Sequence, residues 1–182
     1  MLVCCQGTAL AETINFDDLK PGAPPPGWTA AQTGSGSAKW SVEKDDSGAE
    51  QAKRAKAVRL RRRSPSVSRT TRISKTRFVE VKFKPVAAAG RSSRRRDLAR
   101  AKDANNYYIA RANALEGNVV LYKTVNGKRS SLDIVGRKGG YGVKEPVGSG
   151  QWHTLRVEFA GNRFKLTFDG KHLFDGGGHN IH

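Results

Sequence analysis

Asn105, Asn106, Tyr107, Tyr108, Arg111 and Asn113 fall within nine residues of one another. They bring together amide donors and acceptors, phenol rings and a guanidinium. That is the chemistry a sugar-binding surface uses: aromatic faces lie against pyranose rings, and a rim of amide and arginine groups bonds the hydroxyls. Trp152 supplies a further ring from elsewhere in the chain. The candidate carbohydrate-contact set is therefore Asn106, Tyr107, Tyr108, Arg111, Asn113 and Trp152. A structural role competes with this at several positions, since adjacent Tyr107 and Tyr108 on a strand send one ring to the core and Asn105-Asn106 suits a turn.

Other chemistry is poorly served. Hydrolysis by two carboxylates needs a pair flanking one bond, roughly 5–10 Å apart. Glu158 instead stands alone on its strand between Arg156 and Phe159, where pairing with Arg156 is the simpler role. The four histidines are His153, His172, His179 and His182; the His179-Asn180-Ile181-His182 pair has no Cys or acidic companion at metal-ligand spacing, and Asp17-Asp18, a calcium contact in some jelly rolls, reads rather as a turn or edge. No metal and no cofactor is expected. No Ser-His-Asp constellation and no phosphate-binding glycine loop before a helix is present.

Short strands must position these residues. Val79, Val81 and Phe83 alternate with Glu80, Lys82 and Lys84; Leu155, Val157 and Phe159 with Arg156 and Glu158; Phe164, Leu166 and Phe168 with Lys165 and Thr167. Period two marks half-buried strands. Further strands are predicted at Ile14–Phe16, Lys39–Val42, Tyr107–Ala112, Val119–Val125, Leu132–Val135 and Leu173–Phe174. Asn126-Gly127 predicts a type I′ hairpin, and Ala160-Gly161-Asn162 and Asp169-Gly170-Lys171 predict turns. Trp28 and Trp40 suit the core or mouth of a sandwich. With no helical periodicity, the pattern specifies an all-β antiparallel sandwich, a jelly roll.

The runs Asp103–Glu116, Asn118–Lys123, Gly150–Glu158 and Asp169-Gly170-Lys171, with Ile14–Asp18 and Gly27-Trp28, resemble the concanavalin A-like jelly rolls. Among these the chain is most similar to the bacterial 3-keto-disaccharide hydrolase domain group. The resemblance spans 13–46, 78–86 and 102–175. It implies an exported module that binds or processes carbohydrate, with action on 3-keto sugars, but it maps no catalytic residue onto this sequence.

Charge is distributed unevenly. The formal net charge is +17, and Gln51–Lys102 holds 19 of the 33 Lys and Arg against Glu80 and Asp97 alone; elsewhere 14 basic and 14 acidic residues cancel. A basic nucleic-acid-binding protein using this segment is one alternative, by non-specific phosphate attraction; an accessory domain without ligand is another. Cys4 and Cys5 are adjacent and do not suit a mutual disulfide. No apolar run reaches the ~18 residues of a membrane helix. Residues 1–11 end in Ala9-Leu10-Ala11, which has the shape of a signal-peptidase site, so they read as the remnant of a leader and predict a periplasmic or extracellular location.

Within a single domain over 13–175, basic low-complexity stretches at 47–77 and 91–100 interrupt the strand pattern, and 176–182 reads as a non-native tail. A change of reading frame is preferred here to a solvated basic loop, on the strength of three back-translated intervals, two in the 47–77 region and one in the tail. Permitted codons for 50–59, 62–78 and 176–182, read in another frame, yield strand-like or loop-like continuations; after Asp175 the tail becomes V-E-D-T-T-F. Two consequences are expected: no strand from Arg91–Arg100 and none beyond Asp175, with a disordered basic insert. Sequencing the encoding DNA tests the premise. The expected result is a shift of codon usage at these boundaries, and uniform codon usage with no sensible second frame contradicts it.

Overall fold

A computed structural model describes the backbone of residues 19–22, 29–32, 40–42, 58–60, 65–68, 76–85, 95–137 and 141–177. Two antiparallel five-stranded sheets face one another. Sheet I runs in the order β10 (Asp133–Ile134), β14 (Lys171–Gly177), β13 (Arg163–Phe168), β12 (His153–Ala160), β5 (Thr76–Phe83). Sheet II runs β11 (Val143–Lys144), β8 (Asn118–Val125), β7 (Asn106–Asn113), β6 (Arg95–Asp103), and β9 (Lys128–Ser131) joins the same edge of β8 as β11. Two small pairs complete the strands: β1 (Thr29–Gln32) with β4 (Pro65–Ser68), and β2 (Trp40–Val42) with β3 (Val58–Leu60).

The period-two residues meet between the sheets. Leu155, Val157, Phe159, Phe164, Leu166, Phe168, Phe174 and Phe83 from sheet I pack against Tyr108, Ala110, Ala112, Val119 and Leu121 from sheet II. Tyr108 lies with its ring 4.6 Å from that of Phe164. Each such apolar side chain contributes roughly 1.5–3 kcal/mol when buried. Leu132 marks where the chain passes from one sheet to the other: β9 ends at Ser131 in sheet II, β10 starts at Asp133 in sheet I, and buried Leu132 donates its N–H to the Leu121 carbonyl at 2.9 Å. The predicted strand at Leu132–Val135 is thus a corner followed by a two-residue strand.

The predicted turns form. Asn126 and Gly127 have φ of 49° and 77°, Asp169 and Gly170 48° and 79°, the paired left-handed residues of a type I′ turn. Trp40–Val42 forms β2, with Val42 fully buried. The expected strand at Ile14–Phe16, Trp28, the leader and most of the 47–77 insert lie outside the described residues.

Two expectations are corrected. Arg91–Arg100 does supply strand: β6 begins at Arg95, pairs with β7 from Arg95↔Asn113 to Asp103↔Asn106, and forms the end of sheet II. A ladder is made by backbone groups, and an edge strand tolerates charged residues because it has a free side. Nor does the last strand stop at Asp175. Gly176 and Gly177 continue β14, pairing with Phe164 and Arg163 on one side and Ile134 and Asp133 on the other. Gly176 occupies an inward position after Phe174, and a Cβ there would lie 2.5 Å from Leu121 Cδ2, so the leucine fills the space that an inward side chain would take.

Leu166 is fully buried at the centre of sheet I. Leu166→Ala is expected to cost about 2–5 kcal/mol through lost burial and the cavity left behind, read by urea unfolding; a loss under about 1 kcal/mol would contradict a closed sandwich.

Candidate carbohydrate-binding face

Strands β7 and β8 are buried on both faces. On β7, Tyr108, Ala110 and Ala112 face the core, which sends Tyr107, Ile109, Arg111 and Asn113 to the outer side of sheet II. On β8, Val119 and Leu121 face the core, which sends Asn118, Val120, Tyr122 and Thr124 outward. Register brings them into rows: Asn113↔Asn118, Arg111↔Val120, Ile109↔Tyr122 and Tyr107↔Thr124, with Arg129 and Ser131 of β9 continuing past Thr124 and Tyr122. Asp97 of β6 stands opposite Arg111 in the same register; its side chain is outside the described set.

Arg111 is the centre of this face. It is only 4% exposed. Its Nη2 donates to the hydroxyl of Tyr122 and, at 2.7 Å, to that of Tyr141, and the two tyrosine hydroxyls bond each other. The Glu116 carboxylate lies 3.7 Å from Nη2 and accepts at 3.0 Å from Asn118 Nδ2. The Arg111 and Arg129 guanidinium carbons stand 4.9 and 4.8 Å from the Tyr122 ring centre.

Tyr141 reaches the face from the connection after β10. Gly142 (φ 59°) brings that connection onto β8 so closely that a Cβ would lie 2.3 Å from the Val119 carbonyl oxygen and 2.7 Å from Val120 Cγ2. Only glycine fits there. Arg137 Nη1 donates to the Gly142 carbonyl at 3.2 Å. Tyr141 itself is 51% exposed, so the cluster has a buried floor and an open rim, to which half-exposed Leu115 in the β7–β8 loop also belongs by position.

Three buried side-chain atoms have no hydrogen-bond partner among the described residues: Arg111 Nε, Asn118 Oδ1 and Thr124 Oγ1. All three belong to residues of this face. A buried polar group without a partner costs roughly 1–3 kcal/mol, and all three of these lie on the outer side of sheet II.

The residues singled out from sequence divide accordingly. Tyr107, Arg111 and Asn113 share the outer face. Tyr108 belongs to the core. Asn106 ties turns together: its Nδ2 donates to both Asp103 carboxylate oxygens at 3.0 Å, and its Oδ1 accepts the Asn126 N–H at 2.9 Å. Asn113 Oδ1 accepts the Leu115 N–H at 3.0 Å. The Asn105 N–H first and the Asn106 side chain next hold the Asp103 carboxyl below its ordinary value of 3.8. Trp152 is 40% exposed and precedes β12 of the opposite sheet. Asn118, Tyr122, Thr124, Arg129 and Tyr141 were not singled out. For those on β8 the signal was available, since polar residues there alternate with Val119 and Leu121; for Tyr141 there was none, because its position depends on the path of a loop.

Glu158 pairs with Arg156 at 3.1 Å, and Arg156 also reaches Glu80 at 3.5 Å and stacks on Phe78, all on the outer side of sheet I. His153 is held by Asp169 at 2.7 Å and by the Gly148 carbonyl at 2.9 Å, stacked on Phe168, which makes it a clasp at the sandwich end. No group of three or more His, Cys, Asp or Glu suited to a metal occurs among the described residues. No helix among them is long and apolar enough to cross a membrane.

A scan against protein families finds no match for this chain, and a search of curated proteins finds none either. Among solved structures it is similar to the carbohydrate binding module CBM66 from Bacillus subtilis, with 21% identity over 85% of this chain and 81% of that one, at a TM-score of 0.60. At this identity the likeness concerns the fold.

Burial first, and then the bond with Tyr141, raise the Tyr122 hydroxyl well above the ordinary tyrosine value of 10.0, against a smaller opposite pull from Arg111. The folded chain therefore keeps a proton that the unfolded chain releases above about pH 10, so this contribution is full below that pH and is lost as pH rises past it. Tyr122→Phe removes the titration. Its unfolding free energy is expected to fall less steeply than the parent's between pH 9 and 11, and parallel urea-unfolding curves in that range would contradict this.

Proposed function

We propose that this chain is an exported carbohydrate-binding module, and that it binds glycan on the outer face of sheet II through Arg111, Asn118, Tyr122, Thr124 and Tyr141, with Tyr107 and Asn113 beside them. The observation that carries the reading is the clustering of three unpartnered buried polar atoms on that face. Their chemistry suits sugar hydroxyls, each of which both donates and accepts: Arg111 Nε–H needs an acceptor, Asn118 Oδ1 a donor, and Thr124 Oγ1 serves either role. The half-exposed ring of Tyr141 offers an apolar surface at the rim. The fold-level likeness to a structure described as a carbohydrate binding module supports the same reading.

Binding accounts for the site better than hydrolysis. Glu116 is the one carboxylate whose contacts with this face are described, and two-carboxylate hydrolysis requires a facing pair. The action on 3-keto sugars that the sequence resemblance implies gains no support from this arrangement.

A glycan array followed by calorimetry on the best binders tests the proposal. Tyr141→Ala, at a half-exposed position outside the sheet, is expected to weaken binding about tenfold or more. Arg156→Gln, on the outer side of sheet I, is expected to leave it unchanged. Absence of binding across the array, or salt-steep binding of DNA as the only activity, would overturn the reading.

A further inference from the structure

We infer that Asn126 is a deamidation site held closed by the fold: the backbone nitrogen of Gly127 attacks its side-chain amide only when the β8–β9 turn parts from the β6–β7 turn. Asn126-Gly127 is the one Asn-Gly pair in the sequence. Glycine has no side chain to crowd the attacking nitrogen, so an asparagine before glycine closes to a cyclic imide more readily than one before any other residue. Asn126 is exposed, and its side-chain amide makes no hydrogen bond among the described residues. The step needs only water. The Gly127 nitrogen gives up its proton to hydroxide and bonds to Asn126 Cγ, while the bond from Cγ to Nδ2 breaks and ammonia leaves with a proton from water. Water then opens one of the two imide carbonyls, giving aspartate, or isoaspartate with the main chain rerouted through the side-chain carbons.

Bonds to the neighbouring hairpin oppose this chemistry. The Gly127 N–H, which must be released before its nitrogen can attack, donates to the Asn105 carbonyl at 3.0 Å. The Asn126 N–H donates to Asn106 Oδ1 at 2.9 Å. Asn106 is fixed in turn by Asp103, whose carboxylate oxygens each accept from Nδ2 at 3.0 Å, and which also accepts the Asn105 N–H at 2.7 Å. Both residues of the pair are therefore pinned to the β6–β7 turn, and the reactive nitrogen is freed by a local opening whose frequency sets the rate. The two products differ in their effect. Asp169-Gly170 forms its own turn with φ of 48° and 79°, against 49° and 77° for Asn126-Gly127, so aspartate fits at this position. Isoaspartate lengthens the backbone of a turn that closes directly on the Val125↔Lys128 pair, and breaks that register.

Peptide mapping of the full chain incubated at mildly alkaline pH tests this, since it separates asparagine, aspartate and isoaspartate at position 126. The folded chain is expected to convert about tenfold or more slowly than the same chain in guanidinium chloride. Asn106→Ala removes the acceptor of the Asn126 N–H, and Asp103→Ala releases Asn105 and Asn106. Each is expected to speed conversion severalfold, whereas Arg156→Gln, on the outer side of sheet I, is expected to leave it unchanged. Hydrogen exchange at the Gly127 amide, measured on the same samples, separates turn opening from global unfolding. Conversion is expected to rise in step with that exchange while the amides of β12 and β13 stay protected. Equal rates in the folded and unfolded chain would overturn the inference. So would a rate that stays at the parent's value while Gly127 exchange accelerates, or one that rises only when β12 and β13 lose protection as well.

Discussion

Sheet II is held between two interiors of opposite character, and most of the molecule follows from that. The inner side of β7 and β8 closes on sheet I through Tyr108, Ala110, Ala112, Val119 and Leu121. The outer side is buried as well, yet it carries Arg111, Asn113, Asn118 and Thr124. Apolar burial on the first side stabilises the sandwich by a roughly area-proportional gain that needs no particular geometry. Burial on the second side removes polar and charged groups from water, which costs several kcal/mol per ion unless partners are supplied. Among the described residues folding supplies some of them, the two tyrosine hydroxyls and the Glu116 carboxylate, and leaves others unmade. The apolar side thus offsets the cost of the polar one, which is the surface proposed to bind a ligand.

The connections serve this division. Left-handed pairs at Asn126-Gly127 and Asp169-Gly170 set the hairpin registers, and a slip of one residue would exchange the two sides of a strand. Asp103, Asn105 and Asn106 join the β6–β7 turn to the β8–β9 turn by hydrogen bonds. At the other end of the strands, the loop through Tyr141 and Gly142 is seated on β8 by a contact that excludes even a methyl group. The face is consequently built on strands, and among the described residues the loop through Tyr141 lies against it.

The sandwich itself was legible because alternation is a direct imprint of burial on one side. Leu155, Val157 and Phe159 could occupy a strand in only one way, and the Asn-Gly and Asp-Gly pairs fixed where strands reverse. Part of the site was legible by the same rule: Tyr107, Arg111 and Asn113 share parity and share a face. Tyr108 belongs to the opposite parity, and Asn106 is consumed by the turn that presents them. Tyr141 was beyond reach of sequence reasoning because nothing local tells a loop residue which surface it will cover. The arginines of β6 misled for another reason. Their side-chain pattern lacks the alternation of a strand, whereas pairing at an edge asks only for backbone donors and acceptors, and Arg95–Arg100 provide them. Gly176 and Gly177 pair with their neighbours on the same terms.

The central claim is that one surface, the outer face of sheet II, recognises the ligand. Backbone amide shifts recorded by NMR during titration with a binding glycan test it most directly. The account predicts the largest movements at Arg111, Glu116, Asn118, Tyr122 and Tyr141, with small ones around Arg156 and Trp152. Movements confined to the arginine-rich segment 51–102, or centred on sheet I, would contradict it.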